Sequence, residues 1–328
     1  MSYKKFETNK MVETENIKLI AFIGSADYVQ TAYAEMSSKS NIDLIGRSCF
    51  HFYKKFCSLL HIKEFTIIYY LLSLLFLSIH CSHKKNNVIL FHGVSHLWMM
   101  DIPLISVAKQ RYNAKIVGLF WDSIDFEKYR VYEYKGKLDM IIQADPDLVN
   151  KYGLDYYPIA FYSKLDIKPF DEPCDVFYCG EDGGRLPIME KVYEKLSDMG
   201  ITCDFYCARS KRAGETINGI KHIEKMPYRE YLSHMLTSRI ILDILKPGIQ
   251  GPTLRYCEAV VYDKKVLTNN PIAREMSVYD EKQFYVFDDN LQFDEEFLST
   301  GLSSPNAHKA DLSPMRMVEF ICSKLNLK

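Results

Sequence analysis

The sequence lacks a net charge of either sign. Its 41 lysines and arginines are almost balanced by 42 aspartates and glutamates, which leaves a formal charge of −1. A protein that binds nucleic acid over a broad surface usually carries a strong positive field, so this balance argues against nucleic acid as a partner. Low-complexity segments and internal repeats are also absent, which excludes the repeat architectures.

The sequence also lacks the marks of a secreted, disulfide-stabilised protein. Nine cysteines are an odd number, and 328 residues are enough to form hydrophobic cores without disulfides. The polar N-terminal stretch MSYKKFETNKMVETENIK has no apolar centre of the kind found in signal peptides. Both observations predict a cytoplasmic protein.

One long apolar run qualifies that prediction. Phe65 to Cys81 reads FTIIYYLLSLLFLSIHC and is flanked by Lys63, Lys84 and Lys85. A membrane-spanning helix needs about 20 apolar residues, so the run is short for that purpose. We expect a helix that rests on the inner face of the membrane, which would make the protein a peripheral membrane protein. A helix buried in the core is the alternative.

Apolar runs alternate with helix-like stretches along most of the chain. In a first series the runs are IKLIAFIGS, IDLIG, NNVILFHGVS, AKIVGLFWDS and LDMIIQA. A second series follows the segment 162–174 and contains CDVFYCG, ITCDFYC, GIKHIEKM, RIILDIL, KKVLTNN and QFYVFDD. Continuous apolar strands that alternate with helices indicate parallel sheets covered on both faces. The sequence therefore predicts an α/β protein with two Rossmann-like domains facing a central cleft.

The domain boundary is predicted in the linker that separates the two series. We expect an N-terminal domain over residues 1–165 and a C-terminal domain over residues 166–328. The tail from Pro314 to Leu327 is amphipathic and predicts a helix that could pack back on the N-terminal domain.

Two glycine-containing loops of the second series follow predicted strands, where ligands of open α/β sheets bind. They are GEDGGR at 180–185 and KPGIQGPT at 246–253. A diphosphate can be bound there by backbone N–H groups, a hydroxyl and guanidinium donors. A carboxylate can accept hydrogen bonds from ribose hydroxyls. The candidate residues are Gly180, Arg185, Gly251, Thr253, Arg255 and Glu258. The alternative is that the glycines only form turns and that Glu258 is solvated.

The second series also resembles a known family. The segment G-x-x-G-x-T-x-R-x-x-E-A at 248–259, followed by K-x-L-T-N-N at 265–270, is similar to the donor-binding half of bacterial GT-B glycosyltransferases. The likeness is to the subgroup of lipopolysaccharide and capsule biosynthesis, and it extends over roughly residues 86–290. It implies that Glu258 holds the ribose of a nucleotide diphosphosugar, while Gly251–Thr253 and Arg185 hold the pyrophosphate. It also implies transfer without a metal or other cofactor.

The resemblance is incomplete at one position. Many retaining GT-B enzymes have a glutamate eight residues before the ribose-binding one, and this chain has Gln250 there. Whether the reaction inverts or retains the anomeric configuration therefore stays open.

The acceptor side needs a base for the hydroxyl proton, and Asp, Glu or His can serve. Candidates after the strands of the first series are His92, His96, Asp101, Asp122 and Asp125. We select Asp122 and His96 as catalytic residues. The alternative is that a histidine after a strand belongs to a turn or to the core.

Two rival interpretations remain at this stage. Asp145-Pro146-Asp147 has the form of the metal-binding D-x-D of GT-A glycosyltransferases, although an aspartate that caps a helix begun by proline explains it equally well. A non-catalytic protein with the GT-B fold that binds nucleotides or glycans is the other rival. The preferred prediction is a hexosyltransferase that uses a nucleotide diphosphosugar and a lipid-linked glycan acceptor.

Overall fold

A computed structural model describes residues 14–46, 55, 59, 67–94, 99, 103–121, 131–157, 161–248 and 251–327. The chain divides into two compact units. The first unit consists of Glu7–Tyr157 and Ser313–Lys328, and the second unit contains Pro158–Leu312. The boundary at residues 165 and 166 stays a prediction.

The first unit contains a six-stranded parallel sheet in the order β2-β1-β3-β4-β5-β6. Its strands are β1 (Ile17–Phe22), β2 (Ile42–Ile45), β3 (Asn86–His92), β4 (Lys115–Phe120), β5 (Met140–Gln143) and β6 (Asp155–Tyr156). Its helices are α1 (Asp27–Ala32), α2 (Ile67–His80), α3 (Leu104–Tyr112) and α4 (Pro146–Tyr152). Strands β1, β3, β4 and β5 are buried along nearly their whole length, as strands covered on both faces must be, and the edge strands β2 and β6 are only partly buried.

The second unit contains a seven-stranded sheet in the order β13-β12-β11-β7-β8-β10-β9. Its strands are β7 (Val176–Glu181), β8 (Cys203–Ala208), β9 (Thr216–Ile217), β10 (Ile220–His222), β11 (Ile240–Asp243), β12 (Lys265–Thr268) and β13 (Phe284–Val286). Its helices are α5 (Leu186–Asp198), α6 (Tyr228–Thr237), α7 (Leu254–Val261) and α8 (Glu295–Ser299). All neighbouring strands are parallel except β9 and β10.

The α/β class with two parallel sheets is therefore confirmed, and each apolar run that was predicted as a strand contains one. The antiparallel edge strand β9 was not predicted. It has only two residues, and Gly219 with φ of +78° turns the chain between β9 and β10. A two-residue strand leaves no alternation of apolar and polar residues to detect.

The C-terminal helix α9 (Pro314–Lys324) belongs to the first unit. The Ser313 hydroxyl oxygen accepts the Met315 N–H at 3.2 Å, and proline at the first helical position supports this start. Phe320 packs on Tyr157 with ring centroids 5.0 Å apart. The predicted C-terminal helix is thus confirmed.

Helix α2 covers most of the long apolar run, while residues 65 and 66 lie outside the described part. The buried side chains of α2 include Tyr69, Phe76 and Leu77. Large apolar side chains on other faces are exposed: Ile67, Ile68, Leu71, Leu75 and Ile79. No helix within the described ranges is long and apolar enough to cross a membrane.

Candidate functional site

The two predicted ligand-binding loops meet at one edge of the second sheet. Strands β7 and β11 are parallel neighbours, so the loops that follow them leave the sheet at the same carboxyl edge. A Cβ atom added at Gly183 would lie 3.4 Å from Lys246 Cε, and one added at Gly184 would lie 3.5 Å from Pro247 Cγ. The folded chain therefore brings together loops that are more than 60 residues apart in the sequence.

The first loop is a compact turn organised by Asp182. Its carboxylate oxygen Oδ1 accepts the N–H groups of Gly184 and Leu186, both at 3.1 Å. Gly183 and Gly184 have φ values of +47° and +84°, which glycine adopts at little cost. The Arg185 guanidinium donates to the carbonyl oxygen of Glu181 at 2.6 Å. This bond to a backbone carbonyl oxygen stabilises the loop, and the positive charge of Arg185 lies at the carboxyl edge of the second sheet.

Gly180 is required by a close approach rather than by its own φ angle. A Cβ atom there would lie 2.6 Å from Tyr178 Oη and 3.1 Å from Arg255 Nη2. The absent side chain gives the guanidinium of Arg255 room above β7. Gly180, a predicted site residue, thus allows the Arg255 guanidinium to lie against β7.

Asp243 lies at the centre of the site, and sequence reasoning missed it. This fully buried residue ends β11. Oδ1 accepts the Thr253 hydroxyl at 3.0 Å and Arg255 Nη1 at 3.4 Å, and Oδ2 accepts the Thr268 hydroxyl at 2.9 Å. A buried carboxylate needs such partners because burial of an unpaired charge is costly. The available signal was an aspartate inside the apolar run RIILDIL.

Arg255 spans the space between β11 and β7. Besides Asp243, its guanidinium donates to the Cys179 carbonyl oxygen at 2.6 Å and lies 5.3 Å above the centroid of the Tyr178 ring. Burial alone would lower the pKa of the guanidinium, but nearby groups that include Asp243 raise it, so Arg255 is a fixed positive charge.

Two buried polar atoms at this position have no hydrogen-bond partner among the described residues. They are Tyr178 Oη and Arg255 Nε. Both side chains lie beside Gly180. Because buried donors are nearly always satisfied, two unpaired donors at one place are candidates for bonds to a group that the described residues do not supply.

Thr253 is the N-cap residue of α7, but its hydroxyl does not cap the helix. The hydroxyl is donated to Asp243 instead, so the first turn of α7 has no side-chain cap. Uncapped N–H groups at a helix N-terminus are suited to anions. Gly251, two residues earlier, is buried, and its carbonyl oxygen accepts Asn270 Nδ2 at 3.0 Å. Gln250 lies outside the described residues.

The K-x-L-T-N-N segment holds this second loop in place. The Asn269 side-chain oxygen accepts the Leu245 N–H at 2.7 Å. The buried Lys265 ammonium donates to the Phe297 carbonyl oxygen at 2.9 Å and to the Thr300 hydroxyl at 2.8 Å. Burial lowers the pKa of Lys265. Asn269 and Asn270 therefore hold the two ends of the loop, while Lys265 ties β12 to the segment at residues 297–300.

Glu258 has a different environment from the other candidates. It is only 2% exposed, and its two carboxylate oxygens accept the hydroxyls of Tyr228 and Tyr231, each at 2.6 Å. The Tyr228 hydroxyl is also 2.8 Å from the Tyr162 hydroxyl. Burial raises the pKa of Glu258 despite these bonds. Glu258 joins α6 to α7, and the expectation that it is solvated is wrong. Its role toward ribose stays a prediction.

The predicted catalytic residues Asp122 and His96 lie outside the described residues, and so do Asp101 and Asp125. Their roles stay predictions. His92, the last residue of β3, is buried and packs edge-on against Trp121 with ring centroids 4.3 Å apart.

The D-x-D segment forms a helix cap. Asp145 Oδ1 accepts the N–H groups of Asp147 at 2.9 Å and Leu148 at 3.3 Å, and Pro146 occupies the first turn of α4. The helix-cap interpretation is confirmed. Across the described part of the chain, no group of three or more His, Cys, Asp or Glu side chains could hold a metal ion.

Comparisons with known proteins find similarity in structure only. No protein-family model matches the chain, and no curated protein sequence matches it. Trehalose-6-phosphate synthase OtsA is similar with a TM-score of 0.50 and 11% sequence identity, over 94% of this chain and 99% of that chain. A putative UDP-N-acetylglucosamine 2-epimerase from Listeria monocytogenes gives a TM-score of 0.46 and 11% identity over 94% and 96%.

An alpha-glucosyltransferase in complex with UDP-glucose and DNA gives a TM-score of 0.47 and 10% identity over 92% of this chain and 91% of that chain. At these identities the similarity concerns the fold alone. It assigns the chain the GT-B type of α/β architecture, with two Rossmann-like parts.

Proposed function

We propose that this chain is a glycosyltransferase that moves a sugar from a nucleotide diphosphosugar to a hydroxyl group of a cell-surface glycan intermediate. The fold supports the proposal because trehalose-6-phosphate synthase, whose name describes the synthesis of a phosphorylated sugar, shares it. The fold alone does not determine a reaction, so the argument depends on the site in the second unit.

The observation that carries the proposal is the position of Arg255. It is fixed between Asp243 and the Cys179 carbonyl oxygen at the carboxyl edge of the sheet, at the start of α7. Its Nε atom and Tyr178 Oη are buried donors without a partner among the described residues. An oxygen atom of a phosphate group would satisfy donors of this kind.

The electrostatic environment of this edge suits a diphosphate leaving group. Arg185 and Lys246 add positive charge on the two loops, and the N-terminus of α7 contributes about half a positive charge. Fixed donors and charges of this kind stabilise the negative charge that develops on the leaving diphosphate. The guanidinium groups and backbone N–H donors at this edge can perform this task themselves, so we expect no requirement for a metal.

Glu258 fits the ribose-binding role only if its surroundings change on binding. The two tyrosine hydroxyls leave about two of the four acceptor positions of the carboxylate unused, but Glu258 is only 2% exposed, so a ribose cannot reach them unless neighbouring side chains move. We propose that the Tyr228 and Tyr231 hydroxyls move when the nucleotide enters. A structure with bound nucleotide diphosphate would test this rearrangement.

The acceptor is proposed to be a lipid-linked precursor of lipopolysaccharide or capsule, with Asp122 or His96 as the base. The exposed apolar side chains of α2 support a peripheral contact of Phe65–Cys81 with the inner membrane face. Loss of turnover in Asp122→Ala or His96→Ala, with unchanged nucleotide binding, is the expected result. Full activity of both variants would contradict the assignment.

A screen for hydrolysis of nucleotide sugars tests the reaction class and the donor together. We expect one nucleotide sugar of the panel to be hydrolysed slowly without acceptor. The exposed Lys246 can be replaced without disturbing the core, and Lys246→Gln should weaken nucleotide binding by roughly tenfold, since charge-assisted hydrogen bonds contribute about 1.5–3 kcal/mol. Lys195→Gln on the exposed face of α5 is the matched control.

Two results would decide against the proposal. If the wild-type protein binds no nucleotide diphosphate and hydrolyses no donor, the donor site is refuted. If it binds a nucleotide but shows no turnover with any donor or acceptor, the catalytic part is refuted and a binding protein with this fold remains.

A further inference from the structure

A cavity of about 460 Å³ lies in the first unit, far along the chain from the loops described above. It is lined by Asn16, by residues 82–86 and by residues 110–113. Residues 82–86 connect α2 to β3, and residues 110–113 include the end of α3 just before β4. Because β3 and β4 are parallel neighbours, the cavity lies at the amino edge of the first sheet, opposite the edge from which its ligand-binding loops would extend.

The cavity has defined walls. Asn87 is buried at the start of β3, and its Nδ2 atom donates to the carbonyl oxygens of Ser82 at 2.7 Å and Tyr112 at 3.1 Å. The rings of His83 and Tyr112 lie against each other with centroids 4.8 Å apart. The Asn87 side chain and the His83–Tyr112 ring pair thus join the lining segment 82–86 to the lining segment 110–113.

The lining of the cavity is positively charged. Lys84, Lys85 and Arg111 belong to it, and none of the lining residues is acidic. Lys85 Nζ donates to a neutral group, the Glu15 carbonyl oxygen, at 2.7 Å. The two helix C-termini contribute about half a negative charge each, which leaves an excess of positive charge. The nearby carboxylate of Asp139 is paired with Lys109 at 3.1 Å, and that of Glu15 is exposed.

An exposed apolar row runs along α2 toward the helix end from which the lining segment 82–86 follows. Ile67, Leu71, Leu75 and Ile79 follow one another at intervals of four residues and therefore share one face of the helix. Their exposures are 75%, 56%, 60% and 68%. The row ends four residues before His83, a lining residue of the cavity. A helical apolar surface next to a cluster of cations is the arrangement of helices that lie in a membrane interface.

We propose that this cavity binds the phosphate headgroup of an anionic membrane phospholipid while the apolar row of α2 enters the acyl region beside it. Charge complementarity favours this occupant, because cytoplasmic leaflets with anionic lipids attract clustered lysine and arginine side chains. The inference extends the membrane contact of the proposed function by naming the lipid chemistry. Its test uses no transferase activity, so the lipid inference and the proposed glycosyltransferase function can be refuted separately.

Vesicle flotation with the full-length chain tests the lipid class. The wild-type protein should bind vesicles of phosphatidylcholine mixed with phosphatidylglycerol far more tightly than vesicles of phosphatidylcholine alone. The combined variant K84Q/K85Q/R111Q should lose about 100-fold in affinity for the mixed vesicles, since each basic side chain near an anionic surface contributes roughly fivefold. A matched control removes three exposed lysines of the second unit: K191Q, K195Q and K211Q.

Two further variants separate the cavity from general charge attraction. Gln110→Trp fills the cavity without changing the charge and should reduce the preference for phosphatidylglycerol. Leu71→Gln with Leu75→Gln should weaken binding to both vesicle types and leave that preference in place. Circular dichroism of every variant verifies that the fold is retained.

Several results would overturn the inference. Equal binding of the wild-type protein to the two vesicle types would overturn it. Equal losses of affinity for the mixed vesicles in K84Q/K85Q/R111Q and in K191Q/K195Q/K211Q would also overturn it. Unchanged preference in Gln110→Trp would show that the cavity takes no headgroup. Tight binding of inorganic phosphate or glycerol phosphate without vesicle binding would identify a soluble ligand and refute the lipid.

Discussion

Asp243→Asn is the substitution that most directly tests the structure of the site. Asp243 is fully buried and accepts three hydrogen bonds, from Thr253, Arg255 and Thr268. Asparagine has nearly the same shape, but it replaces one carboxylate oxygen by an N–H donor and removes the negative charge. One of the three donors then faces another donor, and the Arg255 charge loses its only carboxylate partner within 4.0 Å among the described residues.

The expected cost follows from the burial of the pair. Removal of one partner from a buried ion pair costs about 3–5 kcal/mol. Arg255 is 16% exposed and retains the Cys179 carbonyl oxygen, so the lower end of that range applies. We expect a loss of about 3 kcal/mol in the local free energy of unfolding. Thr253→Val, which removes one hydrogen bond of the same carboxylate, should cost about 1 kcal/mol.

Hydrogen exchange read by mass spectrometry is the appropriate assay. Both tryptophans, Trp98 and Trp121, precede the second unit, so tryptophan fluorescence would not report on its unfolding. Amide groups of β11 and α7 should exchange about 100-fold faster in Asp243→Asn, because 1.4 kcal/mol corresponds to tenfold. Asp198→Asn, at an exposed position on α5 of the same unit, should leave these rates unchanged.

A double-mutant cycle decides whether the pairing with Arg255 is the cause. Arg255→Met removes the guanidinium and keeps an unbranched side chain. The variant with both substitutions should be about 2 kcal/mol more stable than the sum of the single effects predicts, since neither charge is left unpaired. Strictly additive effects, or an Asp243→Asn variant that matches the Asp198→Asn control, would refute the reasoning.

Three further predictions concern other parts of the chain. Because burial raises the pKa of Glu258, the wild-type protein should lose stability as the pH rises from the ordinary glutamate pKa through the higher folded-state pKa. In thermal melts at a series of pH values, Glu258→Gln should lack that loss. Parallel pH profiles of the two proteins would contradict the reasoning. Gly180→Ala should destabilise the second unit by about 1–3 kcal/mol because its Cβ would meet Tyr178 Oη, whereas Gly301→Ala, with no atom within 4 Å, should melt like the wild type. Asp145→Ala should lower the free energy of unfolding by about 1 kcal/mol through loss of the α4 cap, and the exposed Asp147→Ala should lower it less. Donor hydrolysis should be insensitive to EDTA in both variants. Activity that disappears with EDTA would favour a metal role for these residues instead.

The longer strands of both sheets were predictable because their sequences carry a direct signal, whereas the two-residue strands β6 and β9 were not. Runs such as VILF in β3 and IIL in β11 are continuously apolar, as strands buried on both faces must be. The positions of the two glycine loops followed from the same pattern, because a loop after a parallel strand starts at the carboxyl edge.

The partners inside the site were beyond the sequence pattern. Asp243 binds Thr253 and Thr268, which are 10 and 25 residues away, and no short-range periodicity encodes that meeting. Glu258 follows Arg255 by three residues on α7, so the two positions lie on one side of the helix. The tyrosines of α6 instead attract its carboxylate, and only the packing of the two helices reveals this.

The return of the chain to the first unit has a consequence for synthesis on the ribosome. Residues 313–328 emerge after the second unit, yet α9 packs on Tyr157 and the Ser313 hydroxyl donates to the Glu35 carboxylate at 2.9 Å. Within the described ranges the second unit comes from one continuous stretch of the sequence, residues 161–312, and it can complete its contacts first, although domains generally fold in the order of their synthesis. A chain released before α9 would hold a finished second unit beside a first unit with uncovered apolar surface, which is the form that chaperones and proteases recognise.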